Sequence, residues 1–194
     1  MNYDKTELNR ILNNGGVIAF VTDTVWGVGC LPSDENAVHK IYELKGRDTS
    51  KPLILMSNKI DNLKPYVKEI PPTAKNLMLR FFPGALTLVL EKSEKTPDFV
   101  TSNFSTVGIR IPDNKVFQKI CEDIEGHVLA TTSANLSGQP SAKTYEEAKS
   151  FIGDYVDLVI TDNGEFAKGL ESTVVLVTNS SVKVLRQGAT KIMA

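Results

Sequence analysis

The 194-residue chain carries 41% hydrophobic and 23% charged residues, with a formal net charge of −1. That composition excludes a disordered protein, and the near-neutral charge disfavours a generally basic nucleic-acid binder, although a local basic patch stays open. Apolar runs reach only about six residues, which is too short for a membrane-spanning helix. Two cysteines do not make a disulfide framework, and the N-terminus lacks the form of a signal peptide. We therefore expect a cytoplasmic protein with no membrane association.

Helix and strand patterns alternate through the first part of the chain. A capping box that starts at Asp4 predicts a helix that ends at Gly15-Gly16. The apolar run 17–21 predicts a buried strand, and 52–56 predicts the next one. Between them, Ser33 is expected to cap an amphipathic helix. This order is typical of an α/β protein.

The rest of the chain continues the alternation and ends in an antiparallel pair. The predicted elements are a helix from Pro71-Pro72 to Phe82, strands over 85–91 and 107–111, a helix over 116–124, a strand over 128–132, a helix that follows a capping box at Thr144 and ends before Gly153, and a hairpin of 172–178 with 182–186. Alternating helices and strands, followed by an antiparallel pair, predict one α/β domain over residues 1–194, with helices packed around a twisted mixed sheet.

Several catalytic motifs are absent from the sequence. There is no phosphate-binding P-loop and no nucleophile elbow, and Gly27-Val28-Gly29 lacks the third glycine of a dinucleotide fingerprint. His39 and His127 show no metal-ligand spacing, so we predict that both are structural and that the chain holds no metal of its own. Cys30 and Cys121 are predicted to be small core residues. The chemistry must therefore come from hydroxyls, amides, cations and the backbone.

Two polar segments in the first third of the chain are candidate ligand contacts. Residues 22–29 follow a strand and combine hydroxyls, a carboxylate and glycines that permit a close backbone approach to a ligand; a capped turn is the alternative. Residues 44–53 place Lys45, Arg47 and Lys51 in one loop, where ammonium and guanidinium groups suit phosphate or carboxylate. A solvated basic loop is the alternative there.

Two further segments also carry side chains that suit an anionic ligand. Arg110 lies inside the apolar strand 107–111, and it needs an anionic partner if it shares a face with buried neighbours; an exposed strand face or a structural ion pair are the alternatives. Residues 131–141 are rich in hydroxyl and carboxamide groups, which together with free backbone N–H groups can cradle a phosphate; an elaborate turn is the alternative. Weaker repeats of this pattern occur at 169–173 and 185–188. The residues thus indicate a site for an anionic small molecule, with a nucleotide as one candidate, and leave the reaction open.

In combination these segments resemble the signature of the YrdC/TsaC family, the threonylcarbamoyl-AMP synthases. The matching motifs are Thr22-Asp23-Thr24, Lys45-x-Arg47, Lys51-Pro52-Leu53, Pro83-Gly84-x-x-Thr87, Arg110-x-Pro112, Thr132-Ser133-Ala134-Asn135-x-Ser137-Gly138, Glu171-Ser172-Thr173-Val174 and Leu185-Arg186-x-Gly188. They cover nearly the whole chain in order, and the chain is similar to the family's single-domain form. Trp26, Lys51 and Gln187 depart from the commoner family residues. The resemblance implies a YrdC/RibB-like fold with a concave basic ligand groove.

The resemblance also implies a reaction. L-threonine and bicarbonate or CO2 would form a carbamate, whose oxygen attacks the α-phosphate of ATP and expels pyrophosphate. Threonylcarbamoyl-AMP would then serve N6-threonylcarbamoyladenosine formation at position 37 of tRNAs that read codons beginning with A. The implied partners are a downstream threonylcarbamoyl-transferase complex and, weakly or indirectly, tRNA. Mg2+ is expected to accompany ATP.

A division of the site residues between two ligands follows from the resemblance. The residues implied to hold threonine are Thr24, Lys51, Arg110, Thr131 and Ser172. Those implied to hold ATP are Lys45, Arg47, Thr106, Ser133, Asn135, Ser141 and Arg186. The catalytic contacts to the phosphates are expected from Lys45, Arg47, Ser133 and Asn135, and Arg110 is expected to grip the carboxylate of the amino acid.

Two other functions fit parts of the sequence. A non-catalytic RNA-binding maturation factor could use a basic groove, with double-stranded RNA as a further partner; the net charge of −1 and the lack of an aromatic stacking series argue against it. A paralogue that adenylates another substrate is the second alternative. The presence of both Lys45-x-Arg47 and Ser133-x-Asn135 argues against that alternative.

Overall fold

A computed structural model describes residues 3–46 and 48–192 of the chain. The helices are α1 Lys5–Asn13, α2 Glu35–Lys45, α3 Ile60–Leu63, α4 Pro72–Phe81, α5 Asp98–Thr101, α6 Lys115–Asp123 and α7 Tyr145–Ile152, with short 3₁₀ helices at Lys64–Tyr66 and Gly153–Tyr155. The strands are β1 Ile18–Phe20, β2 Gly27–Cys30, β3 Ile54–Ser57, β4 Leu86–Glu91, β5 Thr106–Arg110, β6 Val128–Ser133, β7 Leu158–Val159, β8 Thr173–Val177 and β9 Val182–Arg186.

All of these strands join one sheet in the order β7-β1-β2-β6-β3-β5-β4-β8-β9. Three neighbouring pairs are parallel, namely β1 with β7, β3 with β5, and β4 with β8. The other pairs are antiparallel, including the C-terminal hairpin of β8 and β9. The mixed sheet confirms the predicted α/β fold class, and its central strands contribute residues to the buried core.

The helix that begins after residue 33 is capped by a different residue from the one predicted. Asp34, not Ser33, is the N-cap of α2, and its carboxylate accepts a hydrogen bond of 2.9 Å from the backbone amide of Ala37. The helix begins at Glu35, so the residue with extended backbone directly before it is Asp34. The predicted caps at Asp4 and Thr144 are confirmed.

Strand β2 was not predicted, because its glycines were interpreted as room for a ligand. A Cβ at Gly27 would lie 2.8 Å from Cε2 of Phe20 on the neighbouring strand. At Gly29 it would lie 3.1 Å from the same ring. The glycines therefore make room for the Phe20 ring, which packs on Phe117 with 5.0 Å between ring centroids. The strand β7 and the short helices α3 and α5 also lack a clear sequence pattern.

The cysteines and histidines occupy the structural positions predicted for them. Cys30 and Cys121 are buried free thiols, and burial raises the pKa of the Cys30 thiol to about 12. His39 lies exposed beside Glu35 on α2, whereas a ring nitrogen of His127 lies 2.7 Å from the carbonyl oxygen of Cys121. Across residues 3–46 and 48–192, no helix is both long enough and apolar enough to cross a membrane.

Candidate active site

A cleft of about 780 Å³ lies over the middle of the sheet. It is lined by residues of β3, β4, β5, β6 and β9, by the end of α2, and by residues from four further segments, at 22–27 without Asp23, 50–53, 135–138 and 171–174. The predicted site residues that line it are Thr24, Lys45, Lys51, Thr106, Arg110, Thr131, Ser133, Asn135, Ser172 and Arg186. Ser141 contacts the cleft through Glu171, a lining residue that accepts a hydrogen bond of 3.1 Å from its hydroxyl. Arg47 lies outside the described residues.

Lys45 joins the two most characteristic sequence segments. It is the last residue of α2 and is followed by Gly46, which caps the helix in the left-handed conformation at a φ of 55°. The Lys45 side chain is buried, and its ammonium donates to the carbonyl oxygen of Ser133 at 2.5 Å. It also donates to the carbonyl and side-chain oxygens of Asn135, each at 2.8 Å. The lysine thus fixes the segment that follows β6.

Asn135 organises the same segment from within. Its side-chain oxygen accepts from the Ser133 hydroxyl at 2.6 Å, and its amide donates to the carbonyl oxygens of Leu136 and Gln139. The backbone amides of Ala134, Asn135, Ser137 and Gln139 all donate to protein carbonyl oxygens. Four backbone N–H groups of this loop are therefore occupied within the protein. That its hydroxyl, amide and remaining backbone N–H groups cradle a phosphate stays a prediction.

Arg110 is the last residue of β5 and is buried, with 2% of its surface exposed. Its Nε donates to the carbonyl oxygen of Gly84 at 3.0 Å, its Nη1 to the Thr24 hydroxyl at 2.9 Å, and its Nη2 to Oδ1 of Asp23 at 2.5 Å. Burial lowers the pKa of Arg110, and the carboxylate of Asp23 opposes that effect. The anionic partner that the sequence required is therefore Asp23, and Arg110 is also one of the residues that line the cleft.

Hydroxyl groups cover much of the remaining cleft floor. Thr87 and Ser172 are buried and their hydroxyl oxygens lie 2.9 Å apart. The hydroxyl of Thr22 donates to the carbonyl oxygen of Val25 at 2.6 Å, and the Thr131 hydroxyl donates to that of Ile54 at 3.2 Å. Thr22 and Thr87 line the cleft but were not among the predicted site residues. The motif that ends at Thr87 was the sequence signal that could have included it.

The carboxylate of Glu171 lies at the β9 end of the cleft. Glu171 accepts from Nη1 of Arg186 at 2.5 Å, while Nε and Nη2 of the same arginine donate to the carbonyl oxygen of Ser172. Among the lining residues in the described ranges, Glu171 is the one carboxylate. No group of three or more His, Cys, Asp or Glu side chains that could hold a metal ion occurs within the described part of the chain. The guanidinium of Arg186, held by Glu171 and Ser172, lies at this end of the cleft and is a group type that suits an anionic ligand.

The fold and cleft define an α/β protein whose ligand site lies on the face of a mixed sheet. A family model named Sua5_yciO_yrdC, described as "Telomere recombination", matches residues 10–188. The threonylcarbamoyl-AMP synthase of Pyrococcus abyssi is 40% identical over 178 residues, which are 91% of this chain and 52% of that protein. The synthase of the same name from Vibrio cholerae is 36% identical over 179 residues, 91% of this chain and 93% of that protein.

The solved structures show the same relationship. The crystal structure of P. abyssi Sua5 complexed with L-threonine superimposes with a TM-score of 0.88, at 36% identity, over 97% of this chain and 56% of that chain. The chain therefore belongs to the Sua5/YciO/YrdC family. It spans about half the length of the archaeal relative and nearly all of the Vibrio relative.

Proposed function

We propose that this chain is an L-threonylcarbamoyladenylate synthase, a nucleotidyltransferase that makes threonylcarbamoyl-AMP and pyrophosphate from L-threonine, bicarbonate or CO2, and ATP. The observation that carries the proposal is the meeting of Lys45 with Ser133 and Asn135 in the cleft that also contains Arg110. The names of relatives that match over nine-tenths of this chain support it. The threonine bound to the archaeal structure supports the amino-acid substrate.

In this proposal the floor of the cleft binds threonine. Arg110 carries two N–H groups on each terminal nitrogen, and its bonds to Asp23 and Thr24 use one on each. The second pair suits the planar carboxylate of an amino acid, because a guanidinium and a carboxylate form two parallel hydrogen bonds. The hydroxyls of Thr24, Thr131 and Ser172 and the ammonium of Lys51 complete the proposed threonine contacts.

ATP is proposed to bind between the segment after β6 and the end of β9. Arg186 would contact the phosphates from one side, with Thr106 and Ser141 as further contacts. Ser133 and Asn135 would orient the phosphates from the other side. Lys45, which the family resemblance places against the phosphates, donates from its ammonium to three oxygens of Ser133 and Asn135 and so would also hold these two residues in place. Arg47 belongs to the same set on the sequence motif alone. These side chains fit a reaction that needs fixed cations and hydrogen-bond donors.

The proposed reaction needs no nucleophile from the protein. The amine of threonine adds to the carbon of CO2 and releases a proton, or adds to bicarbonate with loss of water, and becomes a carbamate. One carbamate oxygen then bonds to the α-phosphorus of ATP while the bond to the β-phosphate oxygen breaks, and pyrophosphate leaves with that electron pair. The residues would contribute by aligning carbamate and α-phosphate and by stabilising charge on the departing oxygen.

Mg2+ is proposed only as a component of the ATP complex. Of the cleft-lining residues that the structure describes, Glu171 is the one carboxylate, and it already accepts from Ser141 and Arg186. The residues therefore do not form a resident magnesium site, and no step depends on one. In the cell, the product would pass to a cytoplasmic enzyme complex that transfers the threonylcarbamoyl group to tRNA.

A pyrophosphate-release assay with single components omitted tests the proposed function. We expect release to require ATP, bicarbonate and L-threonine together, and to fall strongly when L-serine or L-valine replaces L-threonine. Release at an equal rate without any amino acid would contradict the synthase. A faster rate with another amino acid would instead favour the paralogue that adenylates a different substrate.

A further inference from the structure

Asp23 is a buried carboxylate whose charged contact is with the arginine of the cleft. It is 6% exposed, and its Oδ1 accepts from Nη2 of Arg110 at 2.5 Å. Thr22 and Thr24, the chain neighbours of Asp23, line the cleft, whereas Asp23 is not among its described lining residues. A ligand in the cleft would therefore meet Arg110 and not Asp23.

Such a pair is a poor means of stabilising a fold. Removing two charges from water carries a large desolvation cost, and apolar replacements of buried ion pairs are often neutral or stabilising. The Arg110–Asp23 ion pair is better explained by a requirement of the ligand site than by stability of the fold. Arg110 must hold one orientation if its guanidinium is to meet a ligand carboxylate with two parallel hydrogen bonds.

The three acceptors around Arg110 define that orientation. Oxygen atoms of Gly84, Thr24 and Asp23 each accept a hydrogen bond from a different nitrogen of Arg110. Together these three bonds fix the orientation of the guanidinium plane. Of the three, only Asp23 carries a charge. The backbone holds Asp23 as well, because its carbonyl oxygen accepts from the amide of Lys168 at 3.3 Å, and the carbonyl of Thr24 accepts from the amide of Gly169 at 2.7 Å.

We infer that Asp23 is a positioning residue for the amino-acid substrate: it acts through Arg110, holding the guanidinium in the orientation in which its remaining N–H groups meet the carboxylate. This inference rests on the proposed function. It predicts that Asp23 governs affinity for the amino acid and leaves affinity for the nucleotide nearly untouched, because the arginine at the β9 end of the cleft, Arg186, is held separately by Glu171 and Ser172.

The test measures binding of L-threonine and of ATP to the full chain by calorimetry, with thermal unfolding recorded in parallel. For Asp23→Asn we expect the Kd for threonine to rise by at least about tenfold, with the Kd for ATP within about twofold of the wild type. The matched control is Asp123→Asn. Asp123 is also a largely buried aspartate in an ion pair, with Lys119 at 2.7 Å, but it lies on α6 away from the cleft. That variant should lose stability without changing either Kd.

A double variant separates positioning from a purely structural role. In an Arg110→Ala background, Asp23→Asn should cause no further loss of threonine affinity, and it should raise the melting temperature because it removes an unpaired buried charge. If Asp23→Asn does not fold, Asp23→Glu keeps the charge but shifts the carboxylate. It should fold, retain ATP binding and still bind threonine more weakly.

The outcomes distinguish this inference from the function on which it rests. A wild-type protein that binds no threonine overturns the proposed function and the inference together. A wild-type protein that binds threonine, with Asp23→Asn or Asp23→Glu binding it equally well, overturns the inference alone. Equal losses of threonine and ATP affinity in Asp23→Asn would also overturn it, since they would mean that Asp23 only maintains the fold.

Discussion

Two arginines line different parts of the cleft, and each forms an ion pair with a different carboxylate. Arg110 pairs with Asp23 near the middle of the sheet, and Arg186 pairs with Glu171 at the β9 end. Their burial differs, since the Arg110 side chain is 3% exposed and the Arg186 side chain 47% exposed. A more buried guanidinium forms stronger interactions with a ligand carboxylate, because solvent screens it less.

Substitution of each arginine should therefore affect a different ligand. We expect Arg110→Ala to raise the KM for threonine by about tenfold or more, because charge-assisted hydrogen bonds contribute roughly 1.5–3 kcal/mol. Arg186→Ala should raise the KM for ATP by a smaller factor, which shrinks further at high salt. Steady-state kinetics with each substrate varied in turn decides the assignment, and the opposite pattern of KM changes would exchange the two proposed ligands.

The sequence predicted which residues line the cleft, but it did not predict which of them form hydrogen bonds with each other. Thr24, Arg110 and Ser133 were named from sequence, and all three line the cleft. The partnership of Asp23 with Arg110 joins residues 87 positions apart, and no local pattern indicates it. The same holds for Lys45 and Asn135, whose contacts show that the two motifs form one hydrogen-bonded unit.

Helices with strong periodicity and clear caps were predictable from the sequence, whereas short or glycine-containing strands were not. Helices α1 and α7 begin at their predicted caps, and the C-terminal hairpin of β8 and β9 is present. Strand β2 was missed because Gly27 and Gly29 have low strand propensity, and tertiary packing against Phe20 overrides that propensity. Strand β7 has only two residues, too few for any alternation to appear.

The corrected cap of α2 gives a direct test of local structure. Asp34→Ala should lower the free energy of unfolding by about 1 kcal/mol, because it removes the bond to the Ala37 amide and leaves a helix-terminal N–H without that acceptor. Ser33→Ala is the matched control and should change stability by less than about 0.5 kcal/mol. Denaturant unfolding of both variants measures the difference. Equal losses would show that Ser33 shares the capping role.

For the whole molecule, the net charge limits the proposed contact with RNA. A chain of net charge −1 has no overall electrostatic attraction for a polyanion, so we expect weak tRNA binding that falls steeply between low and physiological salt. Filter binding of tRNA at two salt concentrations measures this. A sub-micromolar complex that survives physiological salt would favour an RNA-binding maturation factor.

The family and the fold class of the whole chain could be predicted from its sequence, but the order of the strands could not. The family was identifiable because its motifs run in order through the chain, and the family model and the superimposed structure confirm it. The twisted mixed sheet was predictable as a class, but the order of its strands was not, because sheet order depends on contacts distant in sequence. One domain over residues 1–194, and the role of Arg47, stay predictions.

The most direct measurement of the central claim is mass spectrometry of the reaction product formed with ¹³C-labelled bicarbonate. The purified protein, ATP with Mg2+, L-threonine and the labelled bicarbonate should give threonylcarbamoyl-AMP that carries the heavy carbon, with one pyrophosphate released for each adenylate formed. An adenylate of threonine that lacks the labelled carbon, or pyrophosphate release with no adenylate product, would contradict the proposed synthase.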